Sequence, residues 1–237
     1  IKAVYVDEQK SLVYIGTHAG GLTVLHRNSG KMESFNQLNS QLVNENVYAI
    51  LPDKGGNLLL GTLSALVSFN PEKKSFTTID KEKDGTPFTS QRITILFRDS
   101  HKRLWVGGEE GISVFQQEGI EIEKVPILPE SSVTKTFTNC IYEAANGIIW
   151  VGTREGFYCF NEKEKKIKRY TTANGLPNNV VYGILEDTFG RLWVSTNRGI
   201  SCFNPETERF RNFTESDGLQ SNQFNTSSFC RTSSGQM

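Results

Sequence analysis

Residues 174–204 read NGLPNNVVYGILEDTFGRLWVSTNRGISCFN, and this stretch decides the fold because every part of it recurs upstream. A loop, GLPNN, leads into the apolar run VVYGILED. A turn of the form D-x-x-G then leads into LWVST, and the turn NRG leads into ISCFN. Short apolar runs bounded by Gly, Asn and Asp are typical of β-strands joined by tight turns. The stretch therefore predicts three consecutive strands, with a glycine of positive φ closing the D-x-x-G turn.

The glycine of the WVGT motif marks equivalent positions in successive repeats and so gives the length of the repeat. Its counterparts follow one another at intervals of 45, 46, 45 and 43 residues, and they are Gly16, Gly61, Gly107, Gly152 and Ser195. Two residues earlier, a second column holds Tyr14, Leu59, Trp105, Trp150 and Trp193. A period of about 40–50 residues with four short strands in each unit is typical of a β-propeller blade. Helix pairs would need long stretches with a 3.6-residue period, and the sequence has none.

We therefore predict an all-β fold: a β-propeller of five four-stranded blades plus the first strand of a sixth, as part of a larger propeller. A single domain fills residues 1–237. Its blades are expected at about 1–36, 47–79, 91–125, 136–170 and 179–213, with a partial blade at 224–237. In the last complete blade, strands A to D are expected at about 180–186, 191–195, 199–203 and 208–213.

Five blades and a fragment leave two arrangements open. The chain is either a truncated piece of a larger wheel, or its sixth strand docks on blade 1. An open ring would leave strand edges that invite pairing between chains, so a homodimer is allowed. Ile1 begins inside a strand and no methionine precedes it, and we therefore expect an excised piece of a longer chain.

Composition argues against several classes of protein. The chain has 26 basic and 26 acidic residues and a formal net charge of zero. No basic stripe indicates a nucleic-acid site, and no polybasic segment indicates an anionic membrane surface. The longest apolar runs are strand-sized, too short to cross a bilayer, and no signal peptide is recognisable at the start. We expect neither nucleic-acid binding nor direct membrane contact.

The cysteine pattern gives no sign of a metal site or another cofactor. Cys140, Cys159, Cys202 and Cys230 fall on predicted strands, and the sequence has no C-x-x-C pair or Cys/His cluster. We interpret the four cysteines as small apolar filling residues. A disulfide between blades would need an oxidising compartment, and the sequence does not pair the cysteines.

The variable loops select one face of the propeller for recognition. Strand direction alternates, so the D–A loops and B–C turns share one face, which we call the loop face. The D–A loops vary most in length and polarity, and variable polar loops on a rigid scaffold are where binding sites concentrate. Asn, Arg and Glu beside aromatic residues suit sugar hydroxyls, although each residue alone also fits a solvated loop. The candidate ligand-binding residues are His18, Glu109, Glu110, Arg154, Glu155, Asn178, Asn179, Asn197, Arg198 and Asn222.

Signals of catalysis are weak. The three histidines, His18, His26 and His101, lie far apart in the chain, and no G-x-S-x-G, H-E-x-x-H or P-loop motif occurs. We predict no catalytic residue in this chain. The tryptophans share one column of strand B, so we interpret them as packing between blades and not as sugar-stacking platforms.

The repeat resembles a known family. Its motif reads LWVGT-x-x-G-φ-x-x-F-N-P, where φ is apolar, followed by F-x-x-[FY] and GL-x-x-N-x-V-x-x-I-x-E-D-x-x-G. This resembles the two-component regulator propeller repeat, most specifically over 150–161 and 175–205. The resemblance implies the periplasmic sensor domain of a hybrid two-component histidine kinase in the inner membrane. It also implies an oligosaccharide or other small ligand, control of polysaccharide utilisation, and the rest of the kinase as a partner.

Two other functions stay open at this stage. Some propellers of similar repeat texture are lyases, and a lyase should place a histidine and an acid together on one face near the axis. The scatter of the histidines argues against that arrangement. The third possibility is a protein-interaction scaffold that binds no small ligand.

Overall fold

The computed structural model describes residues 1–88, 92–126, 135–226, 229–230 and 232. Within these residues, twenty strands form five antiparallel four-stranded sheets, and helix is limited to short 3-10 turns. Each sheet consists of four strands that follow one another in the chain. The chain divides into two compact units, Ile1–Pro129 with the first three sheets and Glu130–Met237 with the last two. The predicted all-β fold of four-stranded blades is confirmed.

The strands are numbered in chain order. Blade 1 holds β1 (Ala3–Asp7), β2 (Leu12–Gly16), β3 (Leu22–His26) and β4 (Met32–Phe35). Blade 2 holds β5 (Val47–Pro52), β6 (Leu58–Thr62), β7 (Leu66–Asn70) and β8 (Ser75–Ile79), and blade 3 holds β9 (Ile93–Arg98), β10 (Leu104–Gly108), β11 (Gly111–Glu118) and β12 (Glu121–Lys124). Blade 4 holds β13 (Thr138–Glu143), β14 (Ile149–Thr153), β15 (Phe157–Asn161) and β16 (Lys166–Tyr170), and blade 5 holds β17 (Val181–Glu186), β18 (Leu192–Thr196), β19 (Gly199–Asn204) and β20 (Arg209–Phe213). The described 3-10 turns are Lys54–Gly56, Thr172–Asn174 and Glu215–Asp217.

The partial sixth blade, predicted at 224–237, lies largely outside the described residues. Of its described residues, 224–226, 229–230 and 232, none belongs to a named strand. Phe224 nevertheless donates its backbone N–H to the Thr196 carbonyl at 3.3 Å. Val47 makes the same bond to Thr17 at 2.9 Å where blade 2 begins. The backbone after blade 5 therefore makes the contact with strand B that the backbone makes at the start of blade 2, and a sixth blade stays a prediction.

The repeated glycine of strand B makes room for the next blade. A Cβ atom at Gly16 would lie 2.7 Å from the Val47 carbonyl oxygen, and one at Gly152 would lie 2.5 Å from Cγ1 of Val181. Val47 and Val181 are the first residues of β5 and β17. Real Cβ atoms do not approach other atoms so closely, so Gly16 and Gly152 have no room for a side chain beneath the strand A that follows each of them.

Aromatic side chains fill the space between neighbouring blades of each unit. In the first unit, the ring of Tyr14 meets Phe69 of blade 2 edge to face at 6.5 Å. In the second, Trp150 meets Phe203 of blade 5 edge to face at 5.5 Å. Both arrangements confirm that this column packs between blades. Trp193 differs, because it is half-buried and stacks on Phe213 of its own blade.

One carboxylate closes the A–B turn of blade 5. Asp187 Oδ1 accepts the backbone N–H groups of Phe189 at 2.9 Å and Arg191 at 3.0 Å. Its Oδ2 accepts Nε of Arg191 at 2.7 Å and the indole N–H of Trp193 at 3.0 Å. Gly190 has a φ of 74°, the positive value that the D-x-x-G pattern predicted. Asp99 binds the corresponding arginine and tryptophan in blade 3.

Candidate functional site

The first strands of blades 2 to 5 share a β-bulge next to the loop face. In each, the register against strand B shifts by one residue after the first residue of strand A. A bulge re-aims the extra side chain, and bulges are frequent beside functional sites. The four bulged residues are Tyr48, Thr94, Asn139 and Tyr182.

Four side chains on the loop face of the first unit form a connected group, which we call the Arg92 cluster. His18 Nδ1 lies 3.5 Å from the hydroxyl of Tyr48. The guanidinium of Arg92 lies 5.6 Å from the centre of the Tyr48 ring, and its Nη1 lies 3.9 Å from Oε2 of Glu109. His18 and Glu109 were predicted from the B–C turns. Tyr48 and Arg92 were missed, since a bulge and the residue before a strand have no signature in the sequence.

The backbone of Arg92 is held in an uncommon conformation. Its φ is 50°, in the left-handed region that residues other than glycine rarely adopt. Its N–H donates to the carbonyl of Leu63 at 2.7 Å, and its own carbonyl accepts the N–H of Glu109 at 3.4 Å. Arg92 therefore bridges the B–C turns of blades 2 and 3, and this fixes the point from which its side chain extends.

The second unit places two predicted residues beside aromatic rings. The guanidinium of Arg154 lies 3.9 Å from the centre of the Phe137 ring, in cation–π geometry. The Tyr182 hydroxyl donates to Oδ1 of Asn197 at 3.0 Å. Both aromatic residues stand at or just before the start of strand A, as Tyr48 does in the first unit. Each unit thus presents aromatic rings flanked by hydrogen-bonding groups on its loop face.

Other predicted residues support the loops in which they lie. The amide oxygens of three asparagines each accept a backbone N–H of their own loop: Asn178 from Val180 at 2.8 Å, Asn179 from Thr172 at 2.9 Å and Asn222 from Glu215 at 2.9 Å. The carbonyl of Glu155 accepts Nε of Arg169 at 3.1 Å. Glu110 and Arg198 are exposed in the B–C turns of blades 3 and 5.

The interpretation of the cysteines as apolar filling residues fits the buried Cys140 and Cys202 and is wrong for Cys230. All four are free thiols, but Cys159 is half-buried, and Cys230 is exposed and lies in no named strand. Burial raises the pKa of the Cys140 thiol to about 12 and that of Cys159 to about 11, so both stay protonated at neutral pH. In the described part of the chain, no group of three or more His, Cys, Asp or Glu side chains is placed to hold a metal ion. A search of the same residues finds no helix with the length and apolarity to span a membrane.

Four-stranded meanders that pack face to face define this chain as a β-propeller protein. The two component regulator propeller family matches residues 131–155 and 175–198. Histidine kinase P4 of Formosa agariphila is 30% identical over 161 residues, which cover 65% of this chain and 12% of that protein. The resemblance read from the sequence is confirmed, and the chain carries the two-component regulator propeller repeat.

Two solved structures show the same fold. One is the extracellular domain of a protein described as a hybrid two component system, BT3049 from B. thetaiotaomicron, with a TM-score of 0.59 and 22% identity. This match covers 99% of the present chain and 37% of that one. The other is virginiamycin B lyase from Staphylococcus aureus, with a TM-score of 0.64 and 13% identity over 90% of this chain and 69% of the lyase. At these identities the likeness concerns the fold alone, and the chain spans only part of each relative.

Proposed function

We propose that this chain is part of the periplasmic sensor domain of a hybrid two-component histidine kinase. In this proposal the loop face binds an oligosaccharide, the rest of the kinase is the signalling partner, and the output is control of polysaccharide utilisation. The observation that carries the proposal is the match of the two component regulator propeller family, together with the 30% identity to a protein named as a histidine kinase. The chain itself acts as a receptor and not as an enzyme.

The side chains of the loop face support a saccharide as the ligand. Tyr182, at the bulge of blade 5, is half-buried and lies beside Asn197. Phe137 is half-buried beneath the guanidinium of Arg154. Tyr48, at the bulge of blade 2, is only 8% exposed, and its hydroxyl lies beside His18. Aromatic rings offer an apolar face to the C–H groups of a sugar, while neighbouring amide, hydroxyl and guanidinium groups bond its hydroxyls. A few polar groups beside apolar surface are the usual composition of a small-ligand site.

Binding by the full chain tests this proposal. Isothermal titration calorimetry against a panel of oligosaccharides should show binding of at least one, and Tyr182→Ala should weaken it about tenfold. Phe189→Ala is the matched control, because Phe189 is 80% exposed in the A–B turn of the same blade, away from the loop face. Absence of binding to every oligosaccharide, or an equal loss in both variants, would contradict the proposal.

The lyase alternative is favoured by one specific feature. His18 and Glu109 belong to the same cluster, although they lie far apart in the sequence. Tyr48 and Arg92 stand between them, and the two side chains are therefore linked only through other groups. Turnover of a panel oligosaccharide that His18→Ala abolishes would establish the enzyme in place of the sensor. A scaffold without a small ligand would give neither binding nor turnover.

A further inference from the structure

We propose that the Arg92 cluster recognises the negative group of an acidic saccharide, a carboxylate or a sulfate ester. This inference rests on the proposed function and adds the chemical class of the ligand. The cluster consists of His18, Tyr48, Arg92 and Glu109, as defined above. Its central residue is Arg92, whose guanidinium lies on the loop face and forms no ion pair shorter than 3.9 Å with a described residue.

The other buried or half-buried arginines of the described residues, Arg98, Arg103 and Arg191, each pair with a carboxylate. Arg103 contacts Asp99 at 2.6 Å, and Arg191 contacts Asp187 at 2.7 Å. Arg92 instead lies 3.9 Å from Glu109, beyond the roughly 2.7–3.2 Å of a direct N–H···O bond. Within the described residues, its guanidinium makes no shorter polar contact, and its side chain is 39% exposed. No described residue accepts a direct hydrogen bond from its five N–H donors, and guanidinium binds carboxylate and sulfate oxygens in a bidentate manner.

The residues around Arg92 restrict the orientation of its side chain. The backbone is bonded on both sides to neighbouring turns, and the guanidinium lies over the Tyr48 ring. Such stacking limits the orientations of a long side chain and lowers the entropy lost on binding. The Tyr48 hydroxyl lies 3.5 Å from Nδ1 of His18, a long contact that a ligand oxygen can replace. Guanidinium and hydroxyl together provide donors for one anionic group and for an adjacent sugar hydroxyl.

Glu109 is the internal competitor for the same cation. Its carboxylate is 55% exposed and lies at the distance of a loose ion pair. An incoming anion must displace it and is repelled by its charge. Removing that charge should therefore strengthen the binding of an acidic ligand, an effect opposite to the one expected if the pair only held two loops together.

The experiment is calorimetry on the full chain at low ionic strength with three tetrasaccharide probes. One is a galacturonate oligomer, one is a sulfated galactan oligomer without uronate, and one is a neutral galactan oligomer. We expect one acidic probe to bind at least about tenfold more tightly than the neutral probe, and its affinity to fall as salt is added. The two acidic probes distinguish a carboxylate from a sulfate ester as the recognised group.

Three substitutions localise the effect. Arg92→Gln should weaken binding of the acidic probe about tenfold, to an affinity near that of the neutral probe. Arg92→Lys should weaken it less, because the positive charge remains. Glu109→Gln should tighten acidic binding severalfold. Glu72→Gln is the matched control and should change nothing. Glu72 also lies 3.9 Å from a cationic side chain, that of Lys10, with 82% of its own side chain exposed, but it stands in the C–D turn of blade 2, away from the loop face.

The outcomes separate this inference from the proposed function. Equal binding of neutral and acidic probes, unaffected by Arg92→Gln, would overturn the acidic ligand and leave the oligosaccharide sensor standing. If Glu109→Gln and Glu72→Gln tightened binding equally, the gain would come from the change in net charge, and the Arg92 cluster would not be its origin. Failure of every saccharide to bind would overturn both. Because Glu109→Gln predicts a gain, a variant that merely fails to fold cannot imitate the expected result.

Discussion

At the scale of single residues, the carboxylate of Asp187 has the clearest energetic consequence. Burial by itself would raise the pKa of this group, but hydrogen bonds from the Trp193 indole, from the backbone of Arg191 and Phe189 and from the Arg191 side chain outweigh it and lower the pKa. A carboxyl group whose folded-state pKa is lowered stabilises the fold above its unfolded pKa of about 4. That contribution is lost as the pH falls through the folded pKa.

We predict that Asp187→Asn lowers the free energy of unfolding by about 1–3 kcal/mol near neutral pH, because the indole and guanidinium lose their shared charged acceptor. The difference should shrink as the pH falls through the lowered pKa of the folded-state carboxyl, since the wild-type group is then protonated as well. Urea unfolding over a series of pH values from neutral to strongly acidic measures this. Asp7→Asn is the control, as Asp7 accepts the backbone N–H of Lys10 at 3.0 Å and is expected to matter less. An Asp187→Asn effect that does not depend on pH would contradict the argument.

The residues of the candidate site were only partly predictable. His18, Glu109, Arg154 and Asn197 follow from the B–C turns, because the repeat fixes where those turns occur. Tyr48 escaped notice because it falls inside a strand, where the alternation of faces gives it no special direction. The bulge that re-aims it is a shift of one residue in pairing, and the strand sequence does not show such a shift.

At the scale of secondary-structure elements, strand B and the next strand A depend on each other. In blade 5, all four strands lie within one residue of their predicted ends, because turn residues and apolar runs mark them clearly. The role of the repeated glycine was not predictable in the same way. Gly152 has no unusual turn to form, and only the structure reveals that Val181 of the following blade passes over it.

We predict that Gly152→Ala destabilises the chain by about 1–3 kcal/mol, because the added methyl group would overlap Val181 and Cys140. Ser195→Ala is the matched control, since the same column already carries a side chain in blade 5, and its effect should stay within about 0.5 kcal/mol. The free energies of unfolding of the wild type, Gly152→Ala, Val181→Ala and the double variant, measured by chemical unfolding, form a double-mutant cycle. We expect Val181→Ala to cost less in the Gly152→Ala background, and strict additivity would exclude the contact as the cause.

At the scale of the whole molecule, residues in the same column of the repeat differ in burial from one blade to the next. Met32 and Phe76 occupy one column of strand D in blades 1 and 2. Phe76 is 7% exposed and stacks on Phe69 at 4.5 Å, whereas Met32 is 66% exposed. Val4 in the first strand of blade 1 is also exposed. Periodicity predicted the column but not its burial, because burial depends on whether another sheet covers that side of the blade.

This difference predicts opposite results for two equivalent truncations. Phe76→Ala should lower the free energy of unfolding by about 3–5 kcal/mol, the usual cost of removing a buried aromatic ring. Met32→Ala should change it by no more than about 0.5 kcal/mol, since the side chain already contacts water. Urea unfolding at two protein concentrations, with the molar mass in solution measured by light scattering, tests both. A cost for Met32→Ala that grows with protein concentration would mean that a second copy of the chain covers Met32, and this exposed surface would then be an interface.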